Sequence, residues 1–196
     1  MTFYLRENLM AKALPKYTVP SMTIEDGAEV AATLQQRLNA LNDLALTLKH
    51  IHWNVVGPHF IAVHEMLDPQ VEAARAMADE VAERIATLGS SPTGTPGALV
   101  KDRAWDDYSI GRADAIAHLG ALDLVYQGVI TDHREAAEAF DETDPVSNDI
   151  LVGQLRQLEL FHWFVRAHLE SSTGALSTNG ASKETTAAEK ADASAN

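Results

Sequence analysis

The 196-residue sequence predicts an all-α protein in which four long helices form a bundle with one long crossover connection. Apolar residues at helical spacing mark four long stretches of the chain. A segment rich in Pro, Gly and Ser, residues 90–97, separates the second stretch from the third and is a loop by composition. Residues 23–170 therefore form the predicted bundle.

The first predicted helix begins near Thr23, with Asp26 three residues on in an arrangement like a capping box. Its apolar stripe steps by three and four residues and continues to His52, where it would ordinarily place a core histidine. The second helix is expected from about Phe60 to Leu88 and ends before Gly89. The stripe of the first helix comprises Val30, Leu34, Leu38, Leu41, Ala45 and Leu48.

The third predicted helix spans about Arg112 to Phe140, and the fourth follows Asp144 and runs through Leu169. Asp144 and Pro145 are typical of an N-cap followed by the first helical position, where proline is tolerated. His118 and His133 lack carboxylates at matching spacing, so no functional role is assigned to them.

The two ends of the chain differ from the predicted bundle in composition. Residues 1–22 contain Pro15 and Pro20, which discourage helix, and are expected to form a flexible arm. Residues 171–196 are rich in Ser, Thr, Ala, Gly and Asn with balanced charges, and such a composition predicts a disordered tail.

Composition also restricts the classes of function. The chain has no cysteine, which excludes thiolate metal sites and fits a reducing cytoplasm. No stretch approaches the roughly 18 apolar residues of a membrane span, and charged residues interrupt the N-terminus, so neither a membrane partner nor a signal peptide is expected. A net charge of −13 argues against a general nucleic-acid-binding surface and favours affinity for cations.

Five side chains, two imidazoles and three carboxylates, form a ligand set suited to divalent iron, manganese or zinc. His64, Asp68, Asp79 and Glu83 fall at roughly 0°, 40°, 60° and 100° around the second helix and share one face. However, Asp68 and Asp79 are eleven positions apart, about 16 Å along the axis, so one metal centre cannot span both pairs. Two copies of the helix packed antiparallel about a twofold axis would join the pairs, with His52 added from the preceding helix.

Simpler readings of these residues stay open on spacing alone. Asp79 and Glu83 fit a solvated helix face equally well. Asp68 precedes Pro69, which disfavours helical geometry at Asp68 and makes it a candidate N-cap that breaks or kinks the helix.

A metal centre inside one bundle is the main structural rival. Such centres use one Glu on each of two helices and Glu-x-x-His on the other two. Between Val30 and Val56 the sequence has a single carboxylate, Asp43, and its one Glu-x-x-His is Glu159 to His162. The parts of an intrabundle centre are therefore missing, and we interpret Glu159 and His162 as a coincidence.

The segment 49–68 reads KHIHWNVVGPHFIAVHEMLD, and DEVAER follows at 79–84. These strings closely resemble the Dps family (DNA-binding protein from starved cells), the starvation-induced mini-ferritins of bacteria. The resemblance implies a ferritin-like bundle with a short helix in the long connection, expected at Trp105–Tyr108, with Trp105 as a packing residue. It also implies a hollow homo-dodecamer with a di-iron ferroxidase centre at the twofold subunit interface.

The resemblance assigns the iron ligands to two subunits. It implies His52, His64 and Asp68 from one subunit and Asp79 and Glu83 from its partner, which agrees with the axial distance. The implied activity is oxidation of Fe(II), preferably with hydrogen peroxide, and storage of ferric iron, which protects the cell from oxidative stress. Cytoplasmic location, with association to the nucleoid as a second possibility, follows from the same resemblance.

Residues around the implied centre receive further hypothetical roles. Trp53 is a candidate electron donor beside the site, with simple packing as the alternative, and Glu65 is a candidate for seeding mineral. Asp144 and Asp149 are candidates for lining a pore through which iron enters, or alternatively are helix-start carboxylates favoured by the helix dipole.

Two other functions remain open. In a DNA-compacting protein the iron chemistry would be secondary, but Arg6, Lys12 and Lys16 are dispersed and the acidic residues of the tail offset Lys183 and Lys190. In a metal-dependent amide or ester hydrolase, the same ligands would hold a metal-bound water of lowered pKa.

Overall fold

The computed structural model describes residues 14–195, which form six helices and one two-residue strand pair. Four of the helices are long and pack as a bundle, as predicted. The elements in chain order are α1 (Ile24–Asn54), β1 (Val55–Val56), α2 (Phe60–Thr87), α3 (Pro96–Asp102), β2 (Ala113–Asp114), α4 (Ala115–Phe140), α5 (Pro145–Ala167) and α6 (Glu184–Ala195).

The hydrophobic core lies between the α1–α2 pair and the α4–α5 pair. Every member of the apolar stripe predicted for α1 is buried, and His52 at the end of the stripe is buried as well. Burial of such side chains contributes about 1.5–3 kcal/mol each for the larger ones, which holds the helices in register. The largest fully buried side chains include Leu34, Leu41, Leu48, Leu67, Leu119, Leu122, Tyr126 and Leu151.

The start of α1 agrees with the predicted cap, because Thr23 Oγ1 accepts a hydrogen bond of 3.0 Å from the amide of Asp26. The expected second helix is continuous, since α2 continues through Pro69, and the alternative of a break at Asp68 is wrong. Proline removes one backbone hydrogen bond, to the carbonyl of Glu65, and that residue is exposed so water can satisfy it. Burial of Leu67 and Val71 on either side of Pro69 holds the helix together.

A sharp turn joins α1 to α2 and is tied to the start of α4. Val55 and Val56 pair in parallel with Ala113 and Asp114. Gly57 follows with φ of 93°, and a Cβ atom there would collide with the side chain of Asp114. Glycine is needed at this turn for both reasons. The strand pair fixes the end of α1 against the long connection.

The long connection contains a short helix, but not where the sequence analysis placed it. The helix is α3, which begins at Pro96 after the extended N-cap Thr95. Trp105 lies outside any helix, and its indole Nε1 donates a 2.7 Å hydrogen bond to Asp43 on α1. Proline at the first helical position is preorganised for helix and explains the earlier start.

The expectation of a disordered tail over residues 171–196 is wrong for its described part. Helix α6 buries Ala187, Ala188 and Ala191 against α4. A Cβ atom at Gly120 of α4 would lie 2.6 Å from the carbonyl oxygen of Ala187 and 2.7 Å from Ala191 Cβ, so the two backbones approach closely. Helix α6 needs no hydrophobic core of its own, because its alanine side chains pack against α4 at Gly120.

A buried carboxylate helps to anchor this C-terminal segment. Asp123 on α4 accepts a 2.7 Å hydrogen bond from Thr178 and further bonds from His162 and Arg166 on α5. Burial raises the pKa of Asp123, but these hydrogen bonds outweigh it and hold the pKa below its ordinary value. The ionised Asp123 therefore joins α4, α5 and the tail.

At the other end, residues 14–22 form no helix. Arg6 and Lys12 of the predicted arm lie outside the described residues. Within residues 14–195, no helix is both long and apolar enough to cross a membrane.

Candidate metal centre

The turn between α1 and α2 brings two histidines into contact. His52 lies in the last turn of α1 and His64 near the start of α2. Their imidazole rings stack with centroids 3.6 Å apart and planes inclined by 23°. The two rings that the sequence separated by twelve positions thus form one pair.

Backbone hydrogen bonds fix the orientation of both rings. His52 Nδ1 lies 3.0 Å from the carbonyl oxygen of His64, and His64 Nδ1 lies 2.9 Å from the carbonyl oxygen of His52. Because a carbonyl only accepts, each Nδ1 carries the proton and donates it. In the neutral form of each ring Nε2 then keeps its lone pair, which is the state in which imidazole binds a metal ion.

Asp68 lies next to this histidine pair. Its Oδ1 lies 3.3 Å from His52 Nδ1 and 2.6 Å from Lys49 Nζ. The hydrogen bond from Lys49 lowers the pKa of Asp68, so the carboxylate is ionised at neutral pH. About half of the Asp68 side chain remains exposed and can accept a further ligand.

Asp79 and Glu83 lie farther along α2 and do not reach this group. Both are exposed and line a groove of about 810 Å³ between α2 and α5, together with Glu80 and Asp149. Because α2 is continuous between Asp68 and Asp79, the axial separation of about 16 Å holds. Across residues 14–195, no three His, Asp or Glu side chains gather closely enough to hold a metal ion. One chain thus presents two partial ligand sets.

Asp144 and Asp149, which the sequence analysis placed together at a pore, have different environments. Asp144 is 3% exposed, and both of its carboxylate oxygens lie 2.8 Å from Arg84 Nη2. Ser147 also donates to it. The pore assignment of Asp144 is contradicted, because its oxygens are already bound inside the chain. Asp149 is exposed and lines the groove with Asp79 and Glu83.

The other residues singled out from the sequence lie at the surface or in separate contacts. Trp53 is 73% exposed beside His52, and Glu65 is exposed beside His64. Glu159 pairs with Arg134, whereas His162 binds Asp123, so the Glu-x-x-His sequence forms no shared site.

Sequence reasoning missed two features near the histidine pair. Lys49 is three residues before His52, and this helical spacing could have signalled its contact with Asp68. The contact between the partly buried Tyr108 and the buried His118 had no local signal, because the two residues belong to different segments that only folding joins.

The bundle matches known proteins over most of its length. Residues 31–173 match the ferritin-like domain. The "DNA protection during starvation protein" of Mycolicibacterium smegmatis is 58% identical over 178 residues, which cover 91% of this chain and 97% of that protein. The "fine tangled pili major subunit" of Haemophilus ducreyi is 52% identical over 158 residues, covering 81% and 84%.

Solved structures of similar proteins superpose on this bundle. Mycobacterium smegmatis Dps in its tetragonal form superposes with a TM-score of 0.82 at 59% identity, covering 84% of this chain and 99% of that one. DpsA14 from Streptomyces coelicolor also gives 0.82, at 66% identity over 83% and 97%. The fold and the matched domain define a ferritin-like protein. Within that class, the chain belongs to the Dps family.

Proposed function

We propose that this protein oxidises Fe(II), preferably with hydrogen peroxide, and stores the ferric product inside a hollow dodecamer in the cytoplasm. The observation that carries the proposal is the paired orientation of His52 and His64. Their reciprocal Nδ1 hydrogen bonds leave the two Nε2 atoms free for a metal ion, and the ionised Asp68 lies 3.3 Å from His52 Nδ1. Imidazole and carboxylate together are the donor types that suit iron.

The complete site is proposed to lie between two subunits. Two of the five ligands, Asp79 and Glu83, are exposed on the same helix about 16 Å from Asp68. An antiparallel partner related by a twofold axis would place its Asp79 and Glu83 opposite the histidine pair, and the symmetry would create two equivalent sites.

The ligand charges suit the proposed change of oxidation state. Two Fe(II) ions give one electron each to one hydrogen peroxide, which takes up two protons and becomes two water molecules. The neutral imidazoles of His52 and His64 favour Fe(II), whereas the three carboxylates neutralise the added charge of Fe(III). Ferric product is thereby stabilised relative to the ferrous substrate.

The exposed carboxylates provide a path for iron. Asp149 and Glu80 share the groove with Asp79 and Glu83 and would attract Fe(II) toward those ligands. Asp149 keeps its proposed role in iron uptake, whereas Asp144 does not. Glu65 remains the candidate for seeding mineral.

The test begins with metal-free protein, Fe(II) and hydrogen peroxide, with ferric absorbance followed in time and the product sized by chromatography. Rapid oxidation with iron in a large assembly supports the proposal, and the His64→Ala/Asp79→Ala double variant should lose both. Intact assembly with no acceleration over buffer would refute it. Glu159→Ala, which removes an exposed carboxylate outside the site, is the control.

Mixed assembly of single variants tests whether the site is shared. Subunits carrying His64→Ala and subunits carrying Asp79→Ala are each expected to be inactive. Random pairing of the two creates one intact site in each mixed dimer, which restores about a quarter of all sites. A mixture that stays inactive despite proven subunit exchange would place all ligands in one chain.

DNA compaction is a second candidate function, and it is favoured by the similarity to the M. smegmatis relative, which is named for DNA protection during starvation. The described C-terminal segment does not add to this support, since Glu184, Glu189 and Asp192 outnumber Lys183 and Lys190. A gel-shift titration repeated across salt concentrations decides the matter, because phosphate contacts weaken steeply with salt. Absence of binding at low salt would exclude this function.

Hydrolysis of an amide or ester at the same ligands ranks below both, because the sequence shows no oxyanion motif or apolar substrate pocket. Turnover of an amide substrate that disappears in both His52→Ala and Glu83→Ala would be needed to revive it.

A further inference from the structure

A partly buried tyrosine and a buried histidine meet on the far side of α1 from the metal ligands. Tyr108 lies in the connection before β2, and His118 lies in the first turn of α4. The phenol oxygen is 2.9 Å from His118 Nδ1, and the two rings stack with centroids 6.1 Å apart. His118 is fully buried, whereas Tyr108 is partly buried.

The surroundings favour a neutral phenol that donates to a neutral imidazole. Burial raises the pKa of the Tyr108 phenol, and the nearby Glu184 adds to this effect. Burial also lowers the pKa of His118. The phenol therefore keeps its proton at neutral pH, and Nδ1 of His118 accepts through a free lone pair.

His118 is nevertheless placed to accept a proton when the tyrosine loses an electron. Its Nε2 then carries the ring's other hydrogen and faces the backbone carbonyls of Asn54 and Gly111, which favour the protonated ring. This Nε2 makes no hydrogen bond of ordinary geometry within the described part of the chain. A positive charge on the imidazole would strengthen its attraction to these carbonyls.

The pair lies close to the candidate iron ligands. The Tyr108 ring packs edge-on against His50 with centroids 5.8 Å apart, and Asn54 is the neighbour of His118. His50 and Asn54 are one turn apart on α1, and His52 lies midway between them on the opposite face. The separation is about one helix diameter, roughly 10 Å.

We infer that Tyr108 is an electron donor, with His118 as its proton acceptor, for one-electron oxidants that form when Fe(II) meets peroxide. This inference rests on the proposed iron oxidation. With hydroxyl radical as the oxidant, Tyr108 gives up one electron and its phenolic proton. The proton moves to His118 Nδ1, the hydroxyl radical becomes hydroxide, and a neutral tyrosyl radical and an imidazolium remain.

Tyr126, Tyr17 and Trp53 lack this arrangement. The hydroxyl of Tyr126 donates a 2.6 Å hydrogen bond to Gln70 Oε1, and an amide oxygen is too weak a base to take the proton. Tyr17 is exposed, and Trp53 presents its indole to solvent. A radical on Trp53 would be open to reaction with other molecules, whereas the Tyr108 ring is partly buried.

The first experiment uses metal-free, full-length protein and an external oxidant, ruthenium(III) tris-bipyridine produced by a laser flash. Transient absorbance and electron paramagnetic resonance should detect a tyrosyl radical that Tyr108→Phe removes and Tyr126→Phe retains. In His118→Gln the amide oxygen can still accept a hydrogen bond from the phenol but is too weak a base to take its proton. This variant should form the radical about 10²-fold more slowly, which is the lower end of the rate contribution of a positioned general base. Circular dichroism and assembly size establish that each variant is folded.

Either of two results would overturn the inference in this experiment. A radical that survives Tyr108→Phe but disappears in Trp53→Phe would place the donor at Trp53. An unchanged rate in His118→Gln would show that the proton goes elsewhere.

The second experiment replaces the flash with Fe(II) and hydrogen peroxide and samples the mixture by freeze-quenching. The Tyr108 radical should form, and Tyr108→Phe should leave the rate of iron oxidation unchanged while oxidative damage to other residues increases. Iron oxidation without a Tyr108 radical would refute the donor role alone. Absence of iron oxidation in the unmodified protein would refute the proposed function, while the flash experiment still decides whether the pair is redox-active.

Discussion

Replacing Asp144 by asparagine removes one charge from a buried ion pair that joins α2 to the start of α5. Both carboxylate oxygens lie 2.8 Å from Arg84 Nη2, and Ser147 donates to the same carboxylate while accepting from Arg84 Nε at 3.0 Å. Burial raises the pKa of Asp144, but the bonds from Arg84 and Ser147 outweigh it and the pKa lies below its ordinary value. The folded state therefore favours the ionised form.

The expected loss of stability is large because Arg84 would remain buried without its partner. The side chains of Arg84 and Asp144 are only 9% and 4% exposed. Breaking a buried pair by removing one partner destabilises a protein by about 3–5 kcal/mol. Asp149→Asn makes the same chemical change five residues later at an exposed position, and its effect should stay within about 0.5 kcal/mol.

Urea unfolding followed by circular dichroism measures both variants at equal protein concentration, because subunit association contributes to apparent stability. Fe(II) uptake, followed by ferric absorbance at low iron concentration, should slow in Asp149→Asn. A stable Asp144→Asn protein with slowed iron uptake would restore Asp144 to the pore and refute the structural role.

Two further predictions concern buried groups on α4. Burial, and secondarily the charge of Arg37, lowers the pKa of His133 to about 4 from its ordinary 6.5, so the unfolded chain binds the proton first as pH falls. The free energy of unfolding should therefore fall as the pH drops below about 6.5, and the loss should reach about 2 kcal/mol at pH 5. Urea titrations at several pH values should show a weaker pH dependence in His133→Gln. An equal pH dependence in the variant would contradict the role of His133. Gly120→Ala should displace α6 and increase hydrogen exchange of its amides about tenfold or more, since the new Cβ meets backbone. Gly128→Ala on the same helix meets nothing within 4 Å and is the control, and equal exchange in both variants would show that α6 does not depend on the close approach.

The bundle could be predicted because its helices are encoded locally. The apolar stripe of α1, the cap at Thr23 and the proline that opens α5 each act within a few residues of the chain. The separation of Asp68 from Asp79 was also predictable, since helical rise alone sets the distance. The second helix was also expected to run through Pro69, and burial of Leu67 and Val71 there outweighs the local preference of proline.

Contacts between distant segments could not be predicted in this way. The composition of residues 171–196 predicted that this segment could not form a core. Helix α6 is nevertheless ordered, because it packs closely against α4 where Gly120 has no side chain. Asp144 had the spacing of an N-cap, and only its meeting with Arg84, sixty residues earlier, assigns the carboxylate to a buried ion pair.

The sequence by itself determined the helices, their faces and the ligand types, because these depend on residues within one or two turns of each other. The tertiary structure decided which ligands meet: the β1–β2 pairing and the turn at Gly57 set the end of α1 against α2, so that His52 and His64 orient each other. It also decided that Tyr108 faces His118. Such contacts depend on how helices pack, and the free energy of that packing is distributed over the whole buried core rather than over any short stretch of sequence.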